Sequence, residues 1–244
     1  MNRPLLLLGL MLLALASAAR YPERSPSEPT RLASGQRSPM TREALHAELL
    51  NAARDGDAGR VARLLKAGAS PDARDRSGRS ALTFAALGDH VEAARVLVAA
   101  GADPDPQDEG RNNALLVTGE TGSVAMLRVI LKAKPDLGRT NRFGGTALIP
   151  AADRGHLAYV RELLRTTDID VNHVNNLGWT ALLEAVILGD GGPVHTEIVR
   201  ELLAHGADRD LPDREGVTAL EHARQRGYAG MVRLLQTPVE SFTK

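Results

Sequence analysis

Apolar residues recur along the chain in paired blocks that a polar stretch separates from the next pair. The first block of a pair is short and rich in Ala and Leu, as in residues 81–87 and 181–188. The second carries the pattern V-x-x-x-x-L-L or a close variant, in residues 91–98, 124–131, 157–164 and 198–203. Apolar residues spaced in this way line one side of a helix. The pattern therefore predicts two helices in each unit.

The same short motif opens each first helix. Its leucine recurs at intervals of 33, 33, 34 and 38 residues, at Leu82, Leu115, Leu148, Leu182 and Leu220. Two positions before that leucine stands a residue type that favours helix N-caps, namely Ser80, Asn113, Thr146, Thr180 and Thr218. A two-helix unit of this size cannot bury its apolar side alone, so the period predicts a solenoid of stacked repeats.

The two ends of the chain differ from this pattern. Arg3, an apolar run over residues 5–16 and the small residues at 16–19 have the order of a secretory signal. We expect residues 1–19 to be a signal peptide cut after Ala18 or Ala19, with an uncleaved anchor as the alternative. Residues 20–40 predict a disordered Pro/Ser-rich leader. Residues 41–236 predict the repeat domain, about six units including capping repeats, and 237–244 a C-terminal tail.

Composition narrows the chemistry. Thirty basic and thirty acidic residues give a formal net charge of zero, which argues against nucleic acid as the main partner. The chain has no Cys, which excludes disulfides and thiolate metal sites. Aromatic residues make up only 3%, so Ala and Leu must form a core of closely packed helices.

The repeats resemble one known family. The stretches that carry the likeness are SALTFAALGDHVEAARVLVAAGADPD (80–105), TALIPAADRGHLAYVRELL (146–164) and TALLEAV (180–186) with IVRELLAHGADRD (198–210). They resemble the ankyrin repeat and its T-P-L-H-x-A signature, and more narrowly exported bacterial ankyrin-repeat proteins. Here Ala replaces the signature Pro in all five units, and other residues replace its His. The resemblance implies an all-α ankyrin solenoid with short β-hairpin-like turns, and a protein-binding function.

Histidines and a glycine-rich loop offer little evidence for catalysis. His90 and His156 occupy the same place in their repeats, which we interpret as loop histidines that bond to backbone. Residues 189–192 are Gly-rich but lack the G-K-[ST] of a phosphate loop, so residues 191–195 predict an insertion in a helix–helix loop. We expect no catalytic residues, no metal site and no cofactor. The alternative is an envelope enzyme or small-ligand binder that uses Glu184, His195 and His222.

The surface is the stronger candidate for function. In an ankyrin array the turn tips and first helices line one concave face, where we expect a partner protein to bind. The predicted contact residues are Arg79, Phe84, Arg111, Arg142, Phe143, Asp153, Arg154, Leu177, Trp179, Glu184 and Ile187. Phe143 and Trp179 could instead pack against the next turn, and Glu184 could pair with Arg154.

Export and family together suggest where the protein acts. We expect a monomer in the bacterial periplasm that binds another periplasmic or envelope protein. The mature chain is expected to have no membrane span and to bind no nucleic acid. An ankyrin effector secreted beyond the cell is a further alternative.

Overall fold

A computed structural model describes residues 40–238 of the chain. The predicted signal peptide lies outside the described residues. So do the predicted leader, apart from Met40, and the predicted tail, apart from residues 237 and 238.

The described residues form helices in pairs, with the two members of a pair joined by a short loop. In chain order they are α1 Arg42–Asp55, α2 Ala58–Lys66, α3 Ala81–Leu87, α4 Val91–Ala99, α5 Ala114–Thr121, α6 Val124–Leu131, α7 Leu148–Asp153, α8 Leu157–Thr166, α9 Ala181–Ile187, α10 Pro193–Ala204, α11 Ala219–Gln225 and α12 Ala229–Gln236. From residue 40 to residue 238, strand-like pairing is limited to an isolated antiparallel bridge between Arg74 and Ser80. Over the same range, no helix combines the length and apolarity needed to cross a membrane.

The pairs stack side by side in two layers. The first helices of the pairs contact one another in chain order, from α1 through α3, α5, α7 and α9 to α11. The second helices form the other layer, from α2 to α12. The predicted all-α ankyrin solenoid is therefore confirmed, with six helix pairs in the described part of the chain. We number the pairs as repeats one to six.

Small side chains lie where neighbouring first helices meet. The fifth residue after each cap position is fully buried, at Ala85, Thr118, Ala151, Ala185 and Ala223. The contact is closest at Gly119, where an added Cβ would lie 2.2 Å from the carbonyl oxygen of Ala147. A glycine is needed there because the backbone of the next repeat leaves no room for a side chain.

Thr118 departs from the alanine of the other repeats because it has a buried partner. Its hydroxyl lies 2.8 Å from the hydroxyl of Tyr159 and donates to the carbonyl oxygen of Leu115 at 2.7 Å. Tyr159 on α8 is fully buried, and burial raises the pKa of its phenol. A buried hydroxyl without a partner is costly, so Thr118 makes the aromatic side chain acceptable in this core.

Four of the five predicted N-caps are confirmed. The side chains of Ser80, Asn113, Thr180 and Thr218 each accept a backbone N–H from the first turn of their helix. The prediction for Thr146 is wrong. Pro150 has no N–H to give to the Thr146 carbonyl oxygen, which accepts from Ile149 instead. The Thr146 hydroxyl is buried and has no hydrogen-bond partner within the described structure.

The predicted insertion is only partly a loop. Helix α10 begins at Pro193, so residues 193–195 extend the second helix of the fifth repeat by most of a turn. Proline suits the first position of a helix because its φ is already helical and its missing N–H would have no partner there.

A ring side chain at the start of several second helices binds the preceding repeat. In each case the ring donates a hydrogen bond of 2.9–3.1 Å to a backbone carbonyl oxygen in the last turn of the first helix of the preceding repeat or just after that helix. The pairs are His90–Arg54, His156–Glu120, His195–Asp153 and Tyr228–Gly189. The interpretation of His90 and His156 as loop histidines bonding to backbone is confirmed. The insertion in the fifth repeat keeps His195 in this position.

The ring packs on a glycine in the helix–helix loop of the preceding repeat. At Gly122, φ is +72° and an added Cβ would lie 2.4 Å from the ring of His156. The third repeat has Ser123 at the position of the ring. The loop residue that a ring there would cover is Asp89, which has a side chain even though its φ is +51°. A glycine is therefore required under the ring of His156, where a side chain would clash with it.

The pair formed by Thr118 and Tyr159 gives a test of the core. Thr118→Ala leaves the phenol without a side-chain partner and should lower the free energy of unfolding by about 1–3 kcal/mol. Adding Tyr159→Phe should recover part of that loss, because the unpaired hydroxyl is then gone. Urea unfolding of the two single variants and the double variant measures the coupling. Strictly additive effects would contradict this account.

The caps give a matched comparison. Thr180→Val removes a hydroxyl that accepts from Leu183 and should cost about 1 kcal/mol. The same change at Thr146 removes an unpaired hydroxyl and should be neutral or stabilising. Thermal unfolding of both variants checks the difference, and an equal loss at the two sites would refute it.

Candidate functional site

Five turn tips are built around one side chain each. The Oδ1 atom of Asp75, Asp108, Asn141, Asn175 and Asp213 accepts the backbone N–H four residues later. Such a side chain imitates a backbone turn. No sequence prediction covers these residues, although they recur at the same intervals as the leucines, five positions before each cap. We call the tips and the exposed sides of the first helices the tip face.

Neighbouring tips are held in register by backbone hydrogen bonds. The N–H of Glu109 donates to the carbonyl oxygen of Ser77, and that of Asn176 to the carbonyl oxygen of Phe143, each over 2.9 Å. Phe143 and Leu177 occupy equivalent places on consecutive tips, and their side chains are 48% and 43% exposed. Two large apolar side chains therefore project from adjacent tips.

The predicted contact residues differ in exposure. Arg111, Arg142 and Arg154 are exposed. The guanidinium of Arg142 lies 4.8 Å from the centre of the Phe143 ring. Trp179 and Ile187 are half-buried and pack against the core, so the predicted packing role of Trp179 is present beside its exposed surface. Each tip takes the number of the repeat whose first helix follows it. The N–H of Trp179 closes the fifth tip by donating to the Oδ1 of Asn175.

Phe84 is not an exposed contact, because two arginines cover it. Its side chain is 6% exposed, with the guanidinium of Arg54 at 4.2 Å and that of Arg79 at 5.3 Å from the ring centre. Arg79 in turn donates to Asp108 at 2.9 and 3.1 Å. Phe84 and Arg79 therefore join the second and third tips together, in a cation–π and ion-pair cluster.

Glu184 is buried rather than exposed. It is 3% exposed and accepts from the Nδ2 of Asn175 over 2.8 Å. The expected pairing with Arg154 is wrong, since Arg154 lies 3.9 Å from Glu120 instead. Burial raises the pKa of Glu184 to about 8, and the carboxyl of Asp153 acts in the same direction. Burial likewise raises the pKa of Asp153, which is half-buried at the end of α7.

The three residues of the alternative catalytic site are each engaged elsewhere. His195 lies between the carbonyl oxygen of Asp153 and the carboxylate of Asp190, at 2.9 and 3.0 Å. The ring of His222 lies 2.7 Å from the carboxylate of Asp213. Residues 40–238 contain no group of three His, Asp or Glu side chains placed to hold a metal ion.

A second row of side chains links the loops that lead to the tips. The Oδ1 atoms of Asp72, Asp105 and Asn172 each accept the N–H of an aspartate in the following repeat, over 2.8–2.9 Å. The equivalent position in the loop before α7 is Gly138, which has no side chain to accept such a hydrogen bond. An open cavity of about 460 Å³ lies there, lined by Pro135, Asp136, Leu137, Gly138, Thr146, Asp168, Asp170 and His173.

The buried carboxyl of Glu184 predicts a pH dependence of stability. Its pKa is about 8 in the folded protein and near 4.5 in the unfolded chain. Folding therefore takes up a proton between these values. The stability is complete below pH 4.5 and is lost as pH rises through about 8.

Glu184→Gln should remove this loss, on the order of 5 kcal/mol, because the amide needs no proton to stay neutral. Urea unfolding at about pH 5, 7 and 9 should show a flatter profile for the variant than for the wild type. Parallel profiles would show that Glu184 does not titrate in this way.

Known proteins share this architecture. A family model described as ankyrin repeats (3 copies) matches residues 49–141 and 115–192, and one described as ankyrin repeat matches residues 177–214. The crystal structure of an ankyrin repeat domain from Acinetobacter baumannii AYE is 45% identical, with a TM-score of 0.74, over 77% of this chain and 95% of that one. The ankyrin repeat protein EF0377 is 36% identical, with a TM-score of 0.75, over 79% of this chain and 98% of that one.

A curated relative matches over a shorter stretch. YahD of Escherichia coli (strain K12), a protein named for its ankyrin repeats, is 51% identical over 73 residues. The match spans 30% of this chain and 36% of YahD, so it covers about a third of that protein.

Proposed function

Because this chain belongs to the ankyrin-repeat family, we propose that it is a protein-binding module that acts in the bacterial periplasm and holds its partner on the tip face. Ankyrin repeat domains are generally non-enzymatic modules for protein–protein interaction. The observation that carries the proposal is the exposure of Phe143 and Leu177 on adjacent, hydrogen-bonded tips. A soluble surface rarely presents two neighbouring large apolar side chains without a use for them.

The backbone of the tip face is held in place before a partner binds. Each tip is closed by its own Asx side chain and tied to a neighbouring tip, as between Phe143 and Asn176. Because this backbone is already ordered, little of its conformational entropy is lost on association. Half-buried Trp179 supplies an aromatic anchor of the kind that dominates binding energy at interfaces.

The periplasmic location rests on the sequence of the first residues. The basic start, the apolar run and the small residues at 16–19 support export and cleavage after Ala18 or Ala19. The partner proposed is therefore another periplasmic or envelope protein, bound by a monomer. The alternatives are a secreted effector, or an envelope enzyme that uses Glu184, His195 and His222.

Site-specific photocrosslinking in intact cells tests the proposed face. A photoreactive phenylalanine analogue in place of Phe143 should give a discrete crosslinked species with another protein, because this side chain projects from the tips. The matched control places the same analogue at Ala158, an exposed residue of the second-helix layer, and should give none. Equal crosslinking at both positions, or none at Phe143, would contradict the proposed face.

Export is tested on the same cells. Osmotic shock should release the protein, and its first residue should be Ala19 or Arg20. Retention with the cytosol would reject the periplasmic proposal, and recovery from the culture medium would favour a secreted effector.

A further inference from the structure

Exposed apolar side chains are concentrated in two repeats. Within residues 40–238, seven large apolar residues are exposed, and five of them lie between residues 143 and 194. They are Phe143, Val174, Leu177, Leu188 and Val194. Single exposed apolar residues are ordinary on a protein surface, but a concentration of this kind indicates a contact. Of these five, Phe143 and Leu177 project from the tips of repeats four and five and Val174 lies directly before the second of these tips, whereas Leu188 lies at the end of α9 and Val194 in α10.

The same two tips differ from the others in charge. The residue that closes the turn is Asp75, Asp108 and Asp213 in repeats two, three and six. In repeats four and five it is Asn141 and Asn175. The hydrogen bonds to the backbone are the same, so the turn itself does not require the amide. At Asn175 the amide has a second use, because its Nδ2 donates to the buried carboxyl of Glu184. The exchange removes a carboxylate from each of the two tips that present Phe143 and Leu177.

Three arginines surround these neutral tips. Arg142 lies over the Phe143 ring, Arg111 projects from the third tip at φ +60°, and Arg214 of the sixth tip donates to the carbonyl oxygen of Asn176. In the part of the chain that the structure describes, none of the three forms a salt bridge, whereas Arg79 and Arg154 each do.

Acidic residues of the neighbouring tips lie to either side of this cluster. They are Glu109 on the third tip and Glu215 on the sixth, both exposed. Neither lies on the two tips that carry Phe143 and Leu177. The tips of repeats four and five are therefore apolar, with Arg142 on the first of them and Arg111 and Arg214 on the tips to either side.

We propose that the partner segment bound by the tips of repeats four and five is acidic, with a large apolar side chain flanked by carboxylates. This inference rests on the proposed function and adds the chemistry of the partner. The apolar side chain would contact Phe143 and Leu177. The carboxylates would bind the guanidinium groups of Arg111 and Arg142, which match a carboxylate in two-point hydrogen bonding.

Fluorescence anisotropy of the full chain with three short fluorescein-labelled peptides tests this specificity. One peptide has Phe and Leu flanked by Asp and Glu. The second keeps the apolar residues but has Lys in place of the acids, and the third keeps the acids but has Ser in place of the apolar residues. The first should bind at least about tenfold more tightly than either of the others.

Variants of the chain identify the surface. The double variant Phe143→Ser with Leu177→Ser should weaken binding of the first peptide at least about tenfold. Leu87→Ser, which removes an equally exposed leucine from repeat two, should not. Arg111→Gln with Arg142→Gln should weaken binding and reduce its dependence on salt. Arg63→Gln with Arg233→Gln, on the exposed side of α2 and α12, matches the change in net charge and should have no effect.

Several outcomes would overturn the inference. They are absence of binding by the first peptide, equal binding of the lysine peptide, and affinity that survives loss of Phe143 and Leu177. Tighter binding of a labelled single-stranded oligonucleotide at the same arginines would identify a nucleic acid as the occupant. Self-association in sedimentation that Phe143→Ser abolishes would identify a second copy of the chain.

Rejection of the acidic partner segment can be separated from rejection of the proposed protein-binding function. If photocrosslinking at Phe143 persists while the peptides show no preference for acid, the chain still binds a protein on this face and only the acidic specificity is rejected.

Discussion

The close approach of neighbouring first helices is the constraint on which the structure depends. It requires a small or compensated side chain at each meeting point, as at Ala85, Ala151 and Gly119. Because each repeat buries its apolar side only against its neighbours, a mismatch at one contact weakens the interface between the two repeats that meet there. The Thr118–Tyr159 pair shows how a larger aromatic side chain is accommodated, since its hydroxyl finds a partner inside the core.

Close stacking of the helices also sets the spacing of the tips. With the helices in contact, successive turns lie near enough for a backbone hydrogen bond such as that from Asn176 to Phe143. The row of tips is therefore ordered by the core. Asp and Asn side chains accept equivalent backbone N–H groups, as at Asp108 and Asn141, so either can close a turn. Three of the closing residues also bind inside the array, Asp108 to Arg79, Asn175 to Glu184 and Asp213 to His222, so the charge of those tips is tied to a partner within the protein.

Much of the fold could be predicted from the sequence because the period, the caps and the helical spacing agree with one another. The exceptions have local physical causes. Thr146 fails as a cap because Pro150, four residues later, lacks an N–H. Residues 193–195 become helical because Pro193 favours a helix start.

The candidate site was less predictable. A residue's place in the repeat does not show that two guanidinium groups cover Phe84, or that Glu184 faces Asn175 and not Arg154. The absence of a side chain at Gly138 has a further consequence. The loops of repeats four and five lack the side-chain hydrogen bond that Asp72, Asp105 and Asn172 supply between the other loops, and an open cavity lies between them at this point.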